Sequence, residues 1–265
     1  MKFDIDAYKT RTARLDDSDI DYDAFREQPL DQATLRTLRY MHDVEHHTVC
    51  YLRDLLVTPA HNDPDMTTFL TFWAFEEFWH GEALGKVLAA HGEPSGRVRV
   101  AAVRARHRVK QVFAPMGTML TSSLTNNFTA VHMTWGAVNE WCTQAGYSRL
   151  RTQADHPVLS ALLDRIMRQE GRHIDFYSSQ AHERLEDNRA AQKLTRFALR
   201  RFWAPVGSTI MPRSEVAHLA RHLFTDDDGR NMGARIDRRI DRLPGLSGLH
   251  LVAGAIDHYA ASAAA

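Results

Sequence analysis

Two segments of the sequence each carry a glutamate followed three residues later by a histidine. Glu77 and His80 lie in FWAFEEFWHGEAL, and Glu170 and His173 lie in RQEGRHIDFY. In an α-helix this spacing puts the carboxylate and the imidazole on one face, one turn apart, so that both can approach a single metal ion. Carboxylates among large aromatic residues are costly to bury unless they are paired or bound to a metal. These four residues are therefore candidate metal ligands.

The spacing alone is weak, because the chain contains the pattern a third time. Glu215 and His218 in SEVAHLA also qualify, but they fall in a shorter C-terminal helical segment, and we interpret them as a surface motif. Glu76 is a competitor for Glu77, since its i,i+4 relation to His80 also permits a shared ligand. We prefer Glu77 because its pairing matches the second motif, and we expect Glu76 to lie beside the ligands or at the surface.

The order of the glutamates along the chain is stronger evidence for a metal site than the spacing within each motif. A di-metal carboxylate bundle needs one glutamate from each of two helices and Glu-x-x-His from each of the other two. MHDVEHHTVCYL offers the first single glutamate and GAVNEWCTQAGY the second. The predicted ligands are Glu45, Glu77, His80, Glu140, Glu170 and His173, with intervals of 32, 63 and 30 residues between the four glutamates. At Glu45 the choice stays open, because other possible ligands crowd the same turn: His42, Asp43, His46 and His47.

Four carboxylates and two imidazoles suit iron or manganese better than a metal that prefers soft ligands. The chain contains no His-Glu-x-x-His, which disfavours a zinc protease, and its two cysteines form no CxxC pair. The sequence therefore predicts two iron ions, with manganese as the alternative.

The hydrophobic pattern predicts the elements that would carry these ligands. Apolar residues at helical spacing indicate long helices at about 32–56, 66–90, 119–152 and 156–186, followed by shorter helices. The basic segment RVRVAAVRARHRVKQ is interpreted as the crossover between the second and third, and the final AIDHYAASAAA as a fraying end. Strand-like alternation is scarce, so we predict an all-α bundle with additional C-terminal helices.

Composition limits the partners that we expect. The formal net charge is zero, so no global field indicates nucleic acid or a membrane surface. The longest apolar run, near residues 69–75, is far too short to span a bilayer, and the N-terminus lacks the apolar core of an export signal. We therefore expect a cytoplasmic protein.

The predicted ligand segments resemble the soluble acyl carrier protein desaturases of the ferritin-like superfamily. FEEFWHGEAL is similar to the family's Glu-Glu-x-x-His-Gly, RQEGRHIDFY to its second Glu-x-x-His segment, VEHHTVCYL to its first-helix segment and NEWCTQ to its Glu-x-x-Thr. The likeness covers about residues 38–182. It implies one ferritin-like domain over 1–265, with a core bundle at about 31–187 and accessory helices at about 188–262.

The resemblance also implies an activity and a role for each ligand. Glu77 and Glu170 would bridge two irons, Glu45 and His80 would complete one iron, and Glu140 and His173 the other; Thr143 would lie beside the oxygen-binding face. Such enzymes use dioxygen and a ferredoxin-type electron donor to introduce a double bond into an acyl chain carried on acyl carrier protein, and a homodimer is expected.

Two departures from the family pattern stand at the second motif. Gln169 replaces an aspartate that orients a ligand histidine and belongs to the presumed electron path, and Ile174 replaces a glutamate. The departures make the substrate and the redox partner less certain than the metal site. Three alternatives also stay open: a hydroxylase or N-oxygenase of a specialised metabolite, a ferritin-like iron-binding protein and a metal-free interaction bundle.

Acyl carrier protein is acidic, and basic side chains could form its docking surface: Arg104, Arg106, Arg108, Arg196, Arg200 and Arg201. The alternative is a solvated helix face whose charge is balanced by acids elsewhere.

Overall fold

The protein is helical throughout the part that the structure describes. The computed structural model describes residues 3–123 and 125–261, with the backbone alone at 108–111. Every regular element in these ranges is a helix, which confirms the predicted all-α class. The α-helices are α1 (Ile5–Arg11), α2 (Ala24–Glu27), α3 (Gln32–Leu56), α4 (Pro64–Ala90), α5 (Gly96–Arg106), α6 (Arg108–Ser123), α7 (Phe128–Ala154), α8 (Pro157–Leu185), α9 (Arg189–Phe202), α10 (Arg213–Phe224), α11 (Asp227–Asp241) and α12 (Leu251–Ala261), and a 3₁₀ turn covers Pro59–Asn62.

The long helices α3 and α4 each begin directly after a capping aspartate, and α4 starts two residues before the predicted residue 66. The Asp31 carboxylate accepts a hydrogen bond from the Thr34 N–H at 2.7 Å, and the Asp63 carboxylate accepts from the Met66 N–H at 3.1 Å. Pro64 occupies the first turn of α4, where its missing N–H costs nothing. Each cap satisfies a donor that the helix itself leaves unpaired.

The third predicted long helix was wrong at its start. We expected it from about residue 119, but α6 ends at Ser123 and α7 begins at Phe128. The Thr125 hydroxyl accepts from the Asn127 N–H at 3.1 Å, a local bond of the kind by which threonine and asparagine favour turns over helix interiors. The basic crossover is itself helical and forms α5 and the start of α6. At the C-terminus, α12 continues to Ala261, and the last part of the predicted fraying end lies outside the described residues.

The chain groups into two compact units. One contains residues 4–123 and 154–169, and its longest helices, α3 and α4, pack against each other. Two glycines of α4 permit the close approach: a Cβ built on Gly81 would lie 2.8 Å from the His46 ring, and one on Gly85 would lie 3.4 Å from the His42 ring.

The other unit contains residues 125–153 and 170–261, together with Phe3. In it, a Cβ on Gly136 of α7 would lie 2.3 Å from the ring of Tyr177 on α8, so only glycine lets these helices pack as they do. The C-terminal helices α10, α11 and α12 pack against one another. Among the described residues, no helix combines the length and the apolar character that crossing a bilayer requires.

Candidate metal centre

The two Glu-x-x-His motifs share one internal geometry. On α4, His80 Nδ1 lies 3.8 Å from Glu77 Oε2. On α8, His173 Nδ1 lies 3.0 Å from Glu170 Oε2. All four residues are at most 4% exposed. Each helix therefore brings a carboxylate oxygen and the Nδ1 of an imidazole to one point, as the spacing predicts.

The six predicted ligands fall into two overlapping sets. One ligand atom from each member of a set lies within 4.8 Å of the ligand atoms of the other members. The first set contains Glu45, Glu77, His80 and Glu170, and the second contains Glu77, Glu140, Glu170 and His173. Glu77 and Glu170 belong to both. The structure thus groups the six residues, and their action as ligands stays a prediction.

The chemistry of this donor set fits a pair of divalent cations. All four glutamates are buried, and a carboxylate moved out of water must be paired, protonated or bound to a metal. Two divalent cations would neutralise four carboxylates. Each set offers three oxygen donors and one imidazole, a mixture that suits iron or manganese.

Two of the competing residues around Glu45 have other partners. The Gly96 N–H donates to His42 Nε2 at 3.3 Å, so His42 Nδ1 carries the proton that it shares with Asp43 at 3.0 Å. The Asp43 carboxylate is also held by Arg99 through two bonds of 2.6 Å. Of the five candidate ligands in this turn, Glu45 is the one that belongs to a group able to hold a metal ion.

Glu76 corrects one alternative of the sequence interpretation. It is fully buried, not at the surface, and it accepts a hydrogen bond from the Tyr8 hydroxyl at 3.1 Å. Tyr8 lies on α1, in a segment for which no helix was predicted. The signal was the capping Asp4 followed by apolar Ile5 and Tyr8 at helical spacing.

Gln169, the residue that departs from the family pattern, contacts a predicted ligand. Its Oε1 lies 2.8 Å from His80 Nε2, and its Nε2 donates to the Ala13 carbonyl at 3.0 Å. The side chain is 8% exposed, so water competes little for either bond. Ile174, the second departure, is buried.

Glu140 stands in an apolar stripe of α7. Ala137 and Met133, one and two turns before it on the same face, are fully buried, and Trp141 beside it is 5% exposed. Thr143 is half-buried and lies one turn after Glu140 on the same helix. Its predicted place beside bound oxygen stays a prediction.

The third Glu-x-x-His belongs to neither set. Glu215 and His218 are half-buried on α10, and the His218 ring stacks on His222 with 5.5 Å between centroids. The metal-capable groups found in residues 3–123 and 125–261 do not include this pair.

Comparison of the chain with models of known families, with curated proteins and with solved structures gave no match.

Proposed function

We propose that the chain is a di-iron, oxygen-dependent oxidoreductase, and that it introduces a double bond into an acyl chain carried on acyl carrier protein. The observation that carries the proposal is the pair of overlapping ligand sets that share Glu77 and Glu170. The finer assignment, desaturation, rests on the resemblance of the four ligand segments to the acyl carrier protein desaturases.

In this proposal Glu77 and Glu170, which belong to both sets, would be shared by the two ions, and the other four ligands would divide between them. When bound, the iron pair supplies the activation of dioxygen for attack on an unactivated C–H bond. Over one turnover the acyl chain loses two hydrogen atoms, an external donor supplies two electrons and solvent two protons, and dioxygen is reduced to two waters.

The chain's own residues hold the ligands and exclude water. The buried Met133 and Ala137 line the helix face that carries Glu140, so water has little access along this stripe. A dry surrounding strengthens electrostatic contacts and protects a reactive site from side reactions. Thr143, one turn from Glu140, would offer a hydroxyl donor on the same side of α7.

Part of the predicted docking surface is engaged within the chain. Arg104 donates to the His46 carbonyl at 3.1 Å, and Arg196 donates to the Ser247 carbonyl at 2.7 Å. Three of the remaining candidates are exposed: Arg106, Arg200 and Arg201. The side chain of Arg108 lies outside the described residues. The exposed three are the arginines that we propose for an acidic carrier protein.

The direct test supplies iron-loaded protein with dioxygen, a ferredoxin, its reductase and acyl carrier proteins bearing chains of several lengths. The expected product is a mono-unsaturated chain, identified by mass spectrometry, and it should be absent with Glu140→Ala. Full iron occupancy with no unsaturated product at any length would refute the desaturase assignment. A hydroxylated product would instead assign the related oxygenase activity.

The size of the assembled protein distinguishes the proposed oxidoreductase from an iron-storage protein. The four helices α9 to α12 extend the chain well beyond the ligand-bearing helices, whereas a ferritin subunit is little more than its bundle. We expect a dimer in sizing chromatography, and a large hollow shell would favour the ferritin-like alternative.

A further inference from the structure

The side chain of Gln169 joins two groups of opposite hydrogen-bonding character. Its Oε1 lies 2.8 Å from His80 Nε2, and its Nε2 lies 3.0 Å from the Ala13 carbonyl oxygen. An amide offers both a donor and an acceptor, which a carboxylate does not when ionised. The residue type at position 169 therefore has a specific consequence for His80.

The Ala13 carbonyl fixes which end of the amide faces which neighbour. A carbonyl oxygen can only accept, so the NH₂ group of Gln169 must point toward Ala13 and its oxygen toward His80. His80 Nε2 must then carry a proton in order to donate to that oxygen. The other ring nitrogen, Nδ1, is the one 3.8 Å from Glu77 and is left as the metal-binding atom.

The chain around Ala13 is anchored to the same two long helices. Arg165 of α8 donates to the Asp16 carbonyl at 2.8 Å and to Asp19. Lys86 of α4 pairs with Asp17 at 2.5 Å. Because these contacts follow Ala13 closely in the chain, its carbonyl is held in a fixed position relative to Gln169.

We propose that Gln169 is a positioning residue that sets the tautomer and orientation of His80 by bridging it to the Ala13 carbonyl, and that in this chain an amide performs this role better than a carboxylate. An ionised carboxylate at position 169 would accept from His80 but would place an oxygen against the Ala13 oxygen, leaving two acceptors without a proton between them. The inference rests on the proposed metal centre.

Metal affinity measures the proposed role without requiring turnover. Metal-free protein is titrated with Co²⁺ against a chromogenic chelator at pH 8 for the wild type, Gln169→Leu, Gln169→Glu and a control, Gln180→Leu. Gln180 is also a buried glutamine of α8, and its amide is 3.4 Å from Glu183. Gln169→Leu should bind Co²⁺ roughly 10–100-fold more weakly than the control, because loss of a residue that orients a metal-binding histidine typically lowers metal affinity by that much. Gln169→Glu should also bind about 10-fold more weakly, although it keeps the acceptor.

A spectroscopic measurement on the wild type covers the case in which a variant fails to fold. In Zn²⁺-loaded, ¹⁵N-labelled protein, His80 Nε2 should carry a slowly exchanging proton and Nδ1 should show the shift of a metal-bound nitrogen. In Gln169→Leu the proton should exchange rapidly.

The outcomes separate this inference from the proposed function. Affinity of Gln169→Glu equal to or above that of the wild type would overturn the inference, as would unchanged affinity of Gln169→Leu or a metal on Nε2 of His80. A wild type that binds no Co²⁺ or Zn²⁺ would overturn the metal centre itself.

Discussion

The three Glu-x-x-His motifs of this chain have the same spacing and different surroundings. The motifs of α4 and α8 are buried and belong to the two metal-capable sets, whereas the motif of α10 is half-buried and belongs to neither. The α4 and α8 motifs lie in the middle of helices of 27 and 29 residues. Spacing alone therefore does not bring a motif into a group that could hold a metal ion; of the three motifs, only the two buried ones belong to such a group.

The α10 motif has an ordinary explanation. Glu215 lies in the first turn of its helix, where a carboxylate interacts favourably with the positive end of the helix dipole. Neither Glu77 nor Glu170 is near a helix start, so this explanation does not extend to them. Substitutions that treat the three motifs alike should therefore give different results.

The largest difference between variants of the buried ligands and variants of the α10 motif should appear in their metal content. Glu170→Ala removes a carboxylate shared by both sets and should abolish stoichiometric iron or manganese binding, as should Glu140→Ala by leaving the second set incomplete. Glu215→Ala should leave metal content unchanged. Elemental analysis of the purified, metal-replete proteins measures all three. Retained stoichiometric metal in Glu170→Ala would refute the assignment of the site.

Metal removal should also distinguish Glu170→Ala from Glu215→Ala by its effect on stability. A metal at 100 to 1,000 times its dissociation constant adds about 3–4 kcal/mol to the free energy of unfolding. Chelation should therefore lower the melting temperature of the wild type and of Glu215→Ala by several degrees, as measured by calorimetry. The melting temperature of Glu170→Ala should not respond to chelator, and an equal response there would mean that the metal is bound elsewhere.

Helix packing beside the α8 motif should tolerate an added methyl group less well than packing near the α10 motif. Gly136→Ala would place a Cβ 2.3 Å from the Tyr177 ring and should lower the free energy of unfolding by about 1–3 kcal/mol. The matched control is Gly254→Ala on α12, which packs against α10: its Cβ would meet nothing within 4 Å, and alanine should stabilise the helix by about 0.5–1 kcal/mol. Denaturant unfolding of both variants compares the two regions; equal effects would mean that α7 and α8 can separate freely.

The smallest predicted effect concerns pH. Burial lowers the pKa of His132 on α7 to about 4, so the folded state favours the neutral ring. As pH falls from about 6.5 toward 4, the unfolded chain takes up a proton before the folded chain does, and stability is lost in that window. The free energy of unfolding should fall by about 1 kcal/mol. This is less than a fully buried histidine would give, because His132 is only half-buried and water screens part of the effect. His132→Gln should flatten the pH dependence of the melting temperature, and a slope unchanged by this substitution would contradict the lowered pKa.

The sequence predicted the parts of the site that depend on periodicity. The ligand-bearing helices α3, α4 and α8 and their approximate bounds followed from caps and apolar spacing, because these signals are local. The start of α7 was missed because a turn at Asn127 interrupts a segment that has continuous helical character.

Contacts between distant parts of the chain were not predictable in the same way. The Tyr8–Glu76 bond joins residues 68 apart, and the Ala13–Gln169 bond joins residues 156 apart. No local pattern encodes such pairs. The sequence could mark Gln169 as unusual, but only the structure provides its second partner.

The central claim is that two metal ions share Glu77 and Glu170. Anomalous diffraction from crystals grown with iron or manganese tests it most directly, because the signal locates each ion. Two peaks per chain are expected, both within ligand distance of Glu77 and Glu170, with His80 and His173 on different ions. A single peak, or peaks at Glu215 and His218, would contradict it.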